Sequence, residues 1–302
     1  MLLAQLPLSE IRRRLNSDGL TLSVGIFNFS IVSPLKSVAE GICLLYADYE
    51  SVENCSFFDF RVAVKSNSFA DRLLNKVGFY SDNITPFNPF PRQHATALLE
   101  WGMNWCVSSH INNYLIVHAA VIEKDGFSVI MPAPPGSGKS TLTAALIQEG
   151  WRLLSDELTI IDINTGMVLP FPRPVSLKNQ SIEIIKKYYP ETIFGPMSVD
   201  TVKGSVASLK PPTLSIKQQL LPCPVGWIIF PKFEAGIDAD LSEKSRAHSF
   251  MDVADNSFNY SLLGIKAFNT LRNIVDSAQC YTFRYSRLED AIEVFNDLKI
   301  FK

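Results

Sequence analysis

Cysteine and histidine are both scarce in this sequence. The 302 residues include five cysteines and four histidines, and no two cysteines form a Cys-x-x-Cys pair. This argues against a disulfide framework and against a cysteine-rich zinc site, and we expect a reducing, cytoplasmic environment. No histidine has a second histidine four residues later, which excludes the helix of a zincin-type metalloprotease.

An excess of positive charge is also missing. Lysine plus arginine number 28 and aspartate plus glutamate 30, for a net charge of −2. A dedicated binder of nucleic acid or of anionic membranes shows a basic excess, so we expect neither. No apolar run approaches about 18 residues, and the first ten residues lack a basic stretch followed by an apolar block. We therefore expect no membrane-spanning helix and no signal peptide.

A proline-rich segment divides the chain. Residues 85–91 hold three prolines, which the interior of a helix or strand does not accommodate. The length favours about two domains. We therefore predict a smaller N-terminal α+β domain over residues 1–90, our candidate for acceptor recognition, and a second domain over residues 91–302.

Apolar strands alternate with helices in the second domain. The patterns predict strands over residues 114–123, 127–131, 152–154, 158–163, 225–230 and 281–285, and helices over residues 94–108, 139–149, 257–278 and 288–298. This interleaving indicates an α/β domain with a mixed sheet. In the first domain, residues 20–31 and 57–64 alternate like strands, whereas residues 37–49 fit either a helix or a strand. Residues 195–212 have little periodicity, which favours a surface loop.

A glycine-rich segment joins the strand at 127–131 to the helix at 139–149. Its residues are, in order, Pro135, Gly136, Ser137, Gly138, Lys139, Ser140 and Thr141. A loop between a strand and a helix is the setting of a P-loop, whose backbone N–H groups bind phosphate oxygens. We predict that these residues bind ATP, with Lys139 at the β- and γ-phosphates and Ser140 on Mg²⁺. Ala133 stands where the G-x-x-x-x-G-K-[ST] pattern has its first glycine.

Two acidic residues follow at a short spacing. Asp156 and Glu157 begin seventeen residues after Lys139, and His118 lies on the strand that precedes the P-loop strand. Taken alone, the histidine fits a core position and the acid pair fits a solvated turn. Together with the loop they favour a site of phosphoryl transfer, which needs a base within reach of the acceptor hydroxyl.

This combination resembles the catalytic domain of HPr serine kinase/phosphatase, a P-loop kinase domain related to PEP carboxykinase. The resemblance is carried by His118, residues 136–141 and residues 153–157. Residues 171–178 and 256–260 look more like a divergent branch, the HprK-related kinase A proteins. The resemblance spans about residues 110–300 and implies an α/β P-loop kinase domain of the HPr kinase/PEP carboxykinase type.

The resemblance also implies roles for individual residues. Asp156 matches the carboxylate that takes the proton from a serine hydroxyl, and His118 matches the histidine that pairs with the acids. Glu157 stands where the family has a second aspartate, and we expect it at Mg²⁺. The family signature linked to the reverse reaction is missing, so we expect kinase activity alone. The segment that stands where the signature would be contains Arg173 and Lys178, which are candidate cations for binding phosphate or substrate.

The expected function is therefore transfer of the γ-phosphate of ATP to a Ser or Thr hydroxyl of a small protein or peptide. The oligomeric state stays open, and a homo-oligomer is one option by analogy with the family. Two alternatives stay open, a kinase of a small molecule such as free serine, and a nucleotide-binding regulator without turnover. No base-specific motif distinguishes ATP from GTP.

Overall fold

The computed structural model describes residues 1–51, 57–82 and 84–299. Its α-helices are α1 (Leu8–Asn16), α2 (Lys36–Leu45), α3 (Phe69–Leu73), α4 (Ala95–His110), α5 (Lys139–Gln148), α6 (Gln180–Tyr188), α7 (Thr213–Lys217), α8 (Arg246–Asp255), α9 (Tyr260–Leu263), α10 (Ile265–Ser277) and α11 (Leu288–Asn296). Its strands are β1 (Leu20–Val24), β2 (Phe27–Val32), β3 (Phe60–Lys65), β4 (Lys76–Ser81), β5 (Phe90–Pro91), β6 (Tyr114–Lys124), β7 (Phe127–Pro132), β8 (Arg152–Ser155), β9 (Leu158–Asp162), β10 (Val168–Leu169), β11 (Val175–Lys178), β12 (Ser198–Thr201), β13 (Gly204–Leu209), β14 (Val225–Phe233), β15 (Asp240–Glu243) and β16 (Gln279–Tyr285).

The chain forms two compact units. Unit 1 comprises Met1–Ser109 and Ser176–Ile216, and unit 2 comprises His110–Val175 and Lys217–Lys302. The sequence-based boundary after residue 90 differs from this division in two ways. Helix α4 belongs to unit 1, and the chain returns to unit 1 after its first passage through unit 2.

The contacts of α4 explain its place in unit 1. A Cβ atom on Gly102 would lie 2.0 Å from the Phe79 ring of β4, so that ring packs directly on the helix backbone. The buried Tyr46 hydroxyl, next to α2, donates to the two carboxylate oxygens of Glu100 at 2.8 and 2.9 Å. The proline-rich segment therefore interrupts unit 1 and does not end it.

The returning segment is anchored to unit 1 by polar contacts. The His94 Nε2 atom lies 2.7 Å from the carbonyl of Val199, and Lys210 forms an ion pair with Asp48 at 2.9 Å. Most of residues 195–212 form the antiparallel strands β12 and β13, so the surface loop expected there is wrong. Strand β12 has two exposed central residues, which is why its sequence lacks an apolar pattern.

Two sheets belong to unit 1. The five-stranded sheet has the order β1-β2-β3-β4-β5, and the three-stranded sheet has the order β11-β13-β12. Strands β2 and β3 are parallel, whereas β1–β2 and β3–β4 are antiparallel. The segment that fitted either a helix or a strand is α2, and it buries Val38, Ile42 and Leu45.

Unit 2 is built on an eight-stranded sheet. Seven strands follow the order β10-β9-β6-β7-β14-β16-β15, and β8 also pairs with β6. Strands β7, β14 and β16 are mutually parallel, whereas β6 is antiparallel to β7, β8 and β9. The fold is thus mixed α/β, as the sequence indicated. The helix predicted over residues 257–278 is split into α9 and α10 by Gly264, whose φ is +56°.

The core of unit 2 lies between the sheet and the helices α8 and α10. Leu115, Val117 and Ala119 of β6 share one buried cluster with Leu271 and Ile274 of α10. Helices α5 and α11 pack against each other, and α5 also contacts β6. In the part of the chain that the structure describes, no helix is both long and apolar enough to cross a membrane.

Candidate functional site

The glycine loop, defined here as residues 133–138, connects β7 to α5. Gly136 and Gly138 have φ angles of +88° and +87°, a backbone conformation that L-residues with a side chain disfavour. Gly138 is the N-cap of α5, and Lys139 is the first helical residue. The N-terminus of a helix carries unsatisfied N–H groups and the positive end of the helix dipole. The loop therefore presents a backbone suited to an anion.

The ends of two neighbouring strands hold the glycine loop. The backbone N–H of Phe233, the last residue of β14, donates to the carbonyl of Ser137 at 2.9 Å. The hydroxyl of Tyr285, the last residue of β16, donates to the carbonyl of Gly138 at 3.2 Å. Burial raises the pKa of Tyr285, so this phenol keeps its proton and remains a donor at neutral pH. Neither residue is predicted from the sequence.

Asp156 meets the glycine loop at the first turn of α5. The Ser140 hydroxyl donates to the Asp156 Oδ2 atom at 3.1 Å. Asp156 follows the last residue of β8 and is only 4% exposed. The serine and the acid, sixteen residues apart in sequence, are thus in direct contact beside the loop.

Strand pairing brings His118 close to the acid pair. His118 of β6 lies opposite Leu158 of β9, the residue that directly follows Asp156 and Glu157 in the chain. The edge of the His118 ring contacts the ring of Phe258, with centroids 5.9 Å apart. Glu157 lies at the bend between β8 and β9 and is more exposed than Asp156.

The two candidate cations are in different units. Arg173 belongs to unit 2 and is buried, with its guanidinium 5.6 Å from the centroid of the Phe171 ring. The N–H of Phe171 donates to the carbonyl of Leu154 in β8 at 2.7 Å, which attaches this segment two residues before Asp156. Lys178 is the last residue of β11 and belongs to unit 1.

The residues around the loop fit a magnesium-bound triphosphate. The Ser137 hydroxyl is buried and makes no hydrogen bond to any described residue, and Lys139 is only 7% exposed. A buried hydroxyl and a buried ammonium at one helix N-terminus are groups that phosphate oxygens satisfy. The described residues contain no cluster of three histidine, cysteine or acidic side chains able to hold a metal. Magnesium at phosphates needs only one or two carboxylates, and Ser140 with an acid pair beside it fits that donor set.

Of the comparisons with known proteins, only the one with solved structures gives matches. No family model matches the chain, and no curated protein matches it in sequence. Among solved structures, the Hpr(Ser) kinase/phosphatase from Coxiella burnetii is similar with a TM-score of 0.28 and 12% sequence identity. The likeness covers 60% of this chain and 91% of that one.

Proposed function

We propose that this chain is a magnesium-requiring kinase that transfers the γ-phosphate of ATP to a Ser or Thr hydroxyl of a small protein or peptide. The observation that carries the proposal is the hydrogen bond from Ser140 to Asp156 at 3.1 Å. It joins an acid predicted to be catalytic to the helix N-terminus predicted to hold the phosphates.

In this proposal the glycine loop is a P-loop. Its backbone N–H groups, the Ser137 hydroxyl and Lys139 bind the phosphates of the donor. Ser140 and Glu157 would hold magnesium, which would neutralise charge on the β- and γ-phosphates. Arg173, which is buried and attached to β8, is the candidate second cation on the transferred group.

Asp156 is the proposed general base. It takes the proton of the acceptor hydroxyl while the acceptor oxygen forms a bond to the γ-phosphorus. The bond between that phosphorus and the oxygen bridging to the β-phosphate breaks, and ADP leaves with the bonding electrons. His118, which lies opposite the residue that follows the acid pair, is the proposed group that orients the carboxylate.

The surface beside His118 favours a polypeptide acceptor. Phe258 contacts the His118 ring and is 52% exposed, so an open apolar side chain borders the proposed site. In the proposal, this ring is where a side chain flanking the acceptor serine of a polypeptide would lie. The acceptor-recognition role expected for residues 1–90 stays a prediction.

Asp156→Asn tests the assignment of the base. With radiolabelled ATP, we expect the variant to transfer phosphate at least about 100-fold more slowly than the wild type, because a positioned general base contributes about 10²–10⁴-fold. ATP binding, measured by calorimetry, should change little. If Asp156 served only to hold magnesium, a higher Mg²⁺ concentration would restore the rate. We expect no such rescue.

Asp125→Asn is the matched control. Asp125 lies in the two-residue turn between β6 and β7, at the opposite end of β7 from the glycine loop, with a φ of +53° that asparagine also adopts. This variant removes the same charge and should keep full activity.

Label on free serine would move the acceptor to the small-molecule class, and tight ATP binding with no transfer to any acceptor would contradict the kinase assignment.

A further inference from the structure

Strands β14 and β16 extend past the end of β7. In the parallel pairing of β14 with β7, Ile228 lies opposite Ile130, and β7 ends two residues later at Pro132. Strand β14 continues to Phe233, which lies opposite Tyr285 of β16. The last residues of β14 therefore run alongside the glycine loop.

Phe233 is fixed on one side and open on the other. Its backbone is bonded to Ser137, and its Cβ atom lies 3.0 Å from where a Cβ atom of Gly138 would be. Its ring meets the Tyr285 ring edge-on, with centroids 5.9 Å apart and planes at 78°. Even so, the residue is 48% exposed. A large apolar ring is thus held in position beside the loop and still faces solvent.

The charged side chains next to Phe233 are occupied with one another. Lys232 Nζ lies 3.2 Å from Glu234 Oε1, and Arg284 Nη1 lies 3.6 Å from Glu234 Oε2. Arg284 also reaches Asp240 at 3.7 Å. The ring of Phe233 is thus an exposed apolar surface bordered by ion pairs.

We propose that Phe233 is the stacking surface for the base of the bound nucleoside triphosphate. The inference rests on the proposed function, because the phosphates must occupy the glycine loop. In open α/β sheets, ligands extend across the carboxyl ends of parallel strands, and Phe233 ends the strand next to the loop strand. Stacking on an aromatic ring tolerates any base, since every base has a π-face. The site should therefore accept adenine and guanine with similar affinity.

Phe233→Ala separates base binding from phosphate binding. We expect the variant to bind ATP and GTP about ten-fold or more weakly than the wild type, with Mg²⁺ present, because one stacked base contributes that much. Binding of inorganic tripolyphosphate, which has no base, should stay unchanged, since the Phe233 N–H that holds Ser137 is a backbone group. Phe233→Trp should keep the affinity for both nucleotides.

Phe268→Ala is the control. Phe268 is a similarly exposed phenylalanine of α10 in the same unit, packed on Phe250, and its removal should leave all three affinities unchanged. Unchanged ATP binding in Phe233→Ala, or an equal loss of tripolyphosphate binding, would overturn the inference and leave the proposed function standing. A wild type that binds neither ATP nor tripolyphosphate would overturn both.

Discussion

The two glycines of the loop share a backbone conformation but not an environment. A Cβ atom on Gly136 would meet nothing within 4 Å, whereas one on Gly138 would lie 2.5 Å from the Tyr285 hydroxyl and 3.0 Å from Phe233. Gly136 is therefore required for its φ alone. Gly138 is required for its φ and for the close approach of β14 and β16.

We predict unequal effects of alanine at these two positions. Gly136→Ala should lower the free energy of unfolding by about 1–2 kcal/mol, the cost of a left-handed L-residue. Gly138→Ala should cost about 1–3 kcal/mol more, because Tyr285 must also move. Urea unfolding followed by circular dichroism measures both values.

A second substitution isolates the contact with the hydroxyl. The double variant Gly138→Ala/Tyr285→Phe lacks the oxygen that would clash with the new Cβ atom. We expect its loss of unfolding free energy to be at least about 0.5 kcal/mol smaller than the sum of the losses in the two single variants. Strict additivity, or equal costs at Gly136 and Gly138, would show that Tyr285 does not constrain the loop.

The site residues that can be predicted from the sequence are those that lie next to one another in the chain. The glycine loop, Lys139 and Ser140 are readable because a strand, a loop and a helix follow one another in the chain. Phe233 and Tyr285 are not, since parallel strand pairing brings them to the loop from 96 residues after Ser137 and 147 residues after Gly138. The available signal was that each ends an apolar strand of the same sheet.

A buried ion pair ties β8 to β6 at the other end of the sheet from the glycine loop. Arg152 Nε donates to Glu123 Oε2 at 2.6 Å, and Arg152 Nη1 donates to the carbonyls of Gln218 and Leu221 at 3.2 Å. Both side chains are largely buried. The start of strand β8 is thus held by an ion pair that is largely shielded from water. Asp156 directly follows the other end of the same strand.

We predict that Arg152→Met destabilises unit 2 strongly. Removing one partner leaves the Glu123 carboxylate buried without its counter-charge, which typically costs about 3–5 kcal/mol. Lys36→Ala breaks an exposed ion pair with Glu40 in α2 and should cost less than about 1 kcal/mol. Thermal and urea unfolding of the two variants make the comparison, and similar costs would contradict the account of β8.

Elements with a strong apolar pattern were predictable. The helix predicted over residues 139–149 is an example, and it ends as in a Schellman motif: Gly150 has a φ of +91°, and the N–H of Trp151 donates to the carbonyl of Leu146. Helix α8 was missed, since it buries only Ser249 and Val253 and so lacks an amphipathic stripe. Tertiary packing decides such elements.

At the scale of the whole molecule, the sequence gives the fold class but not the division into units. A proline-rich segment is a reasonable place for a boundary, yet Phe79 packs on Gly102 across it. The segment Ser176–Ile216 belongs to unit 1, where Lys210 forms an ion pair with Asp48. A contact between residues so far apart in the chain cannot be predicted from a local sequence pattern. The site residues of unit 2 come from segments on both sides of the glycine loop.

The most direct test of the kinase proposal is a crystal structure of the whole chain with magnesium and a non-hydrolysable ATP analogue. We predict that the triphosphate lies in the glycine loop with Lys139 at its terminal phosphates. The carboxylate of Asp156 should face the terminal phosphorus, with His118 beside it. A nucleotide bound elsewhere, or an Asp156 side chain turned away from that phosphorus, would contradict the proposal.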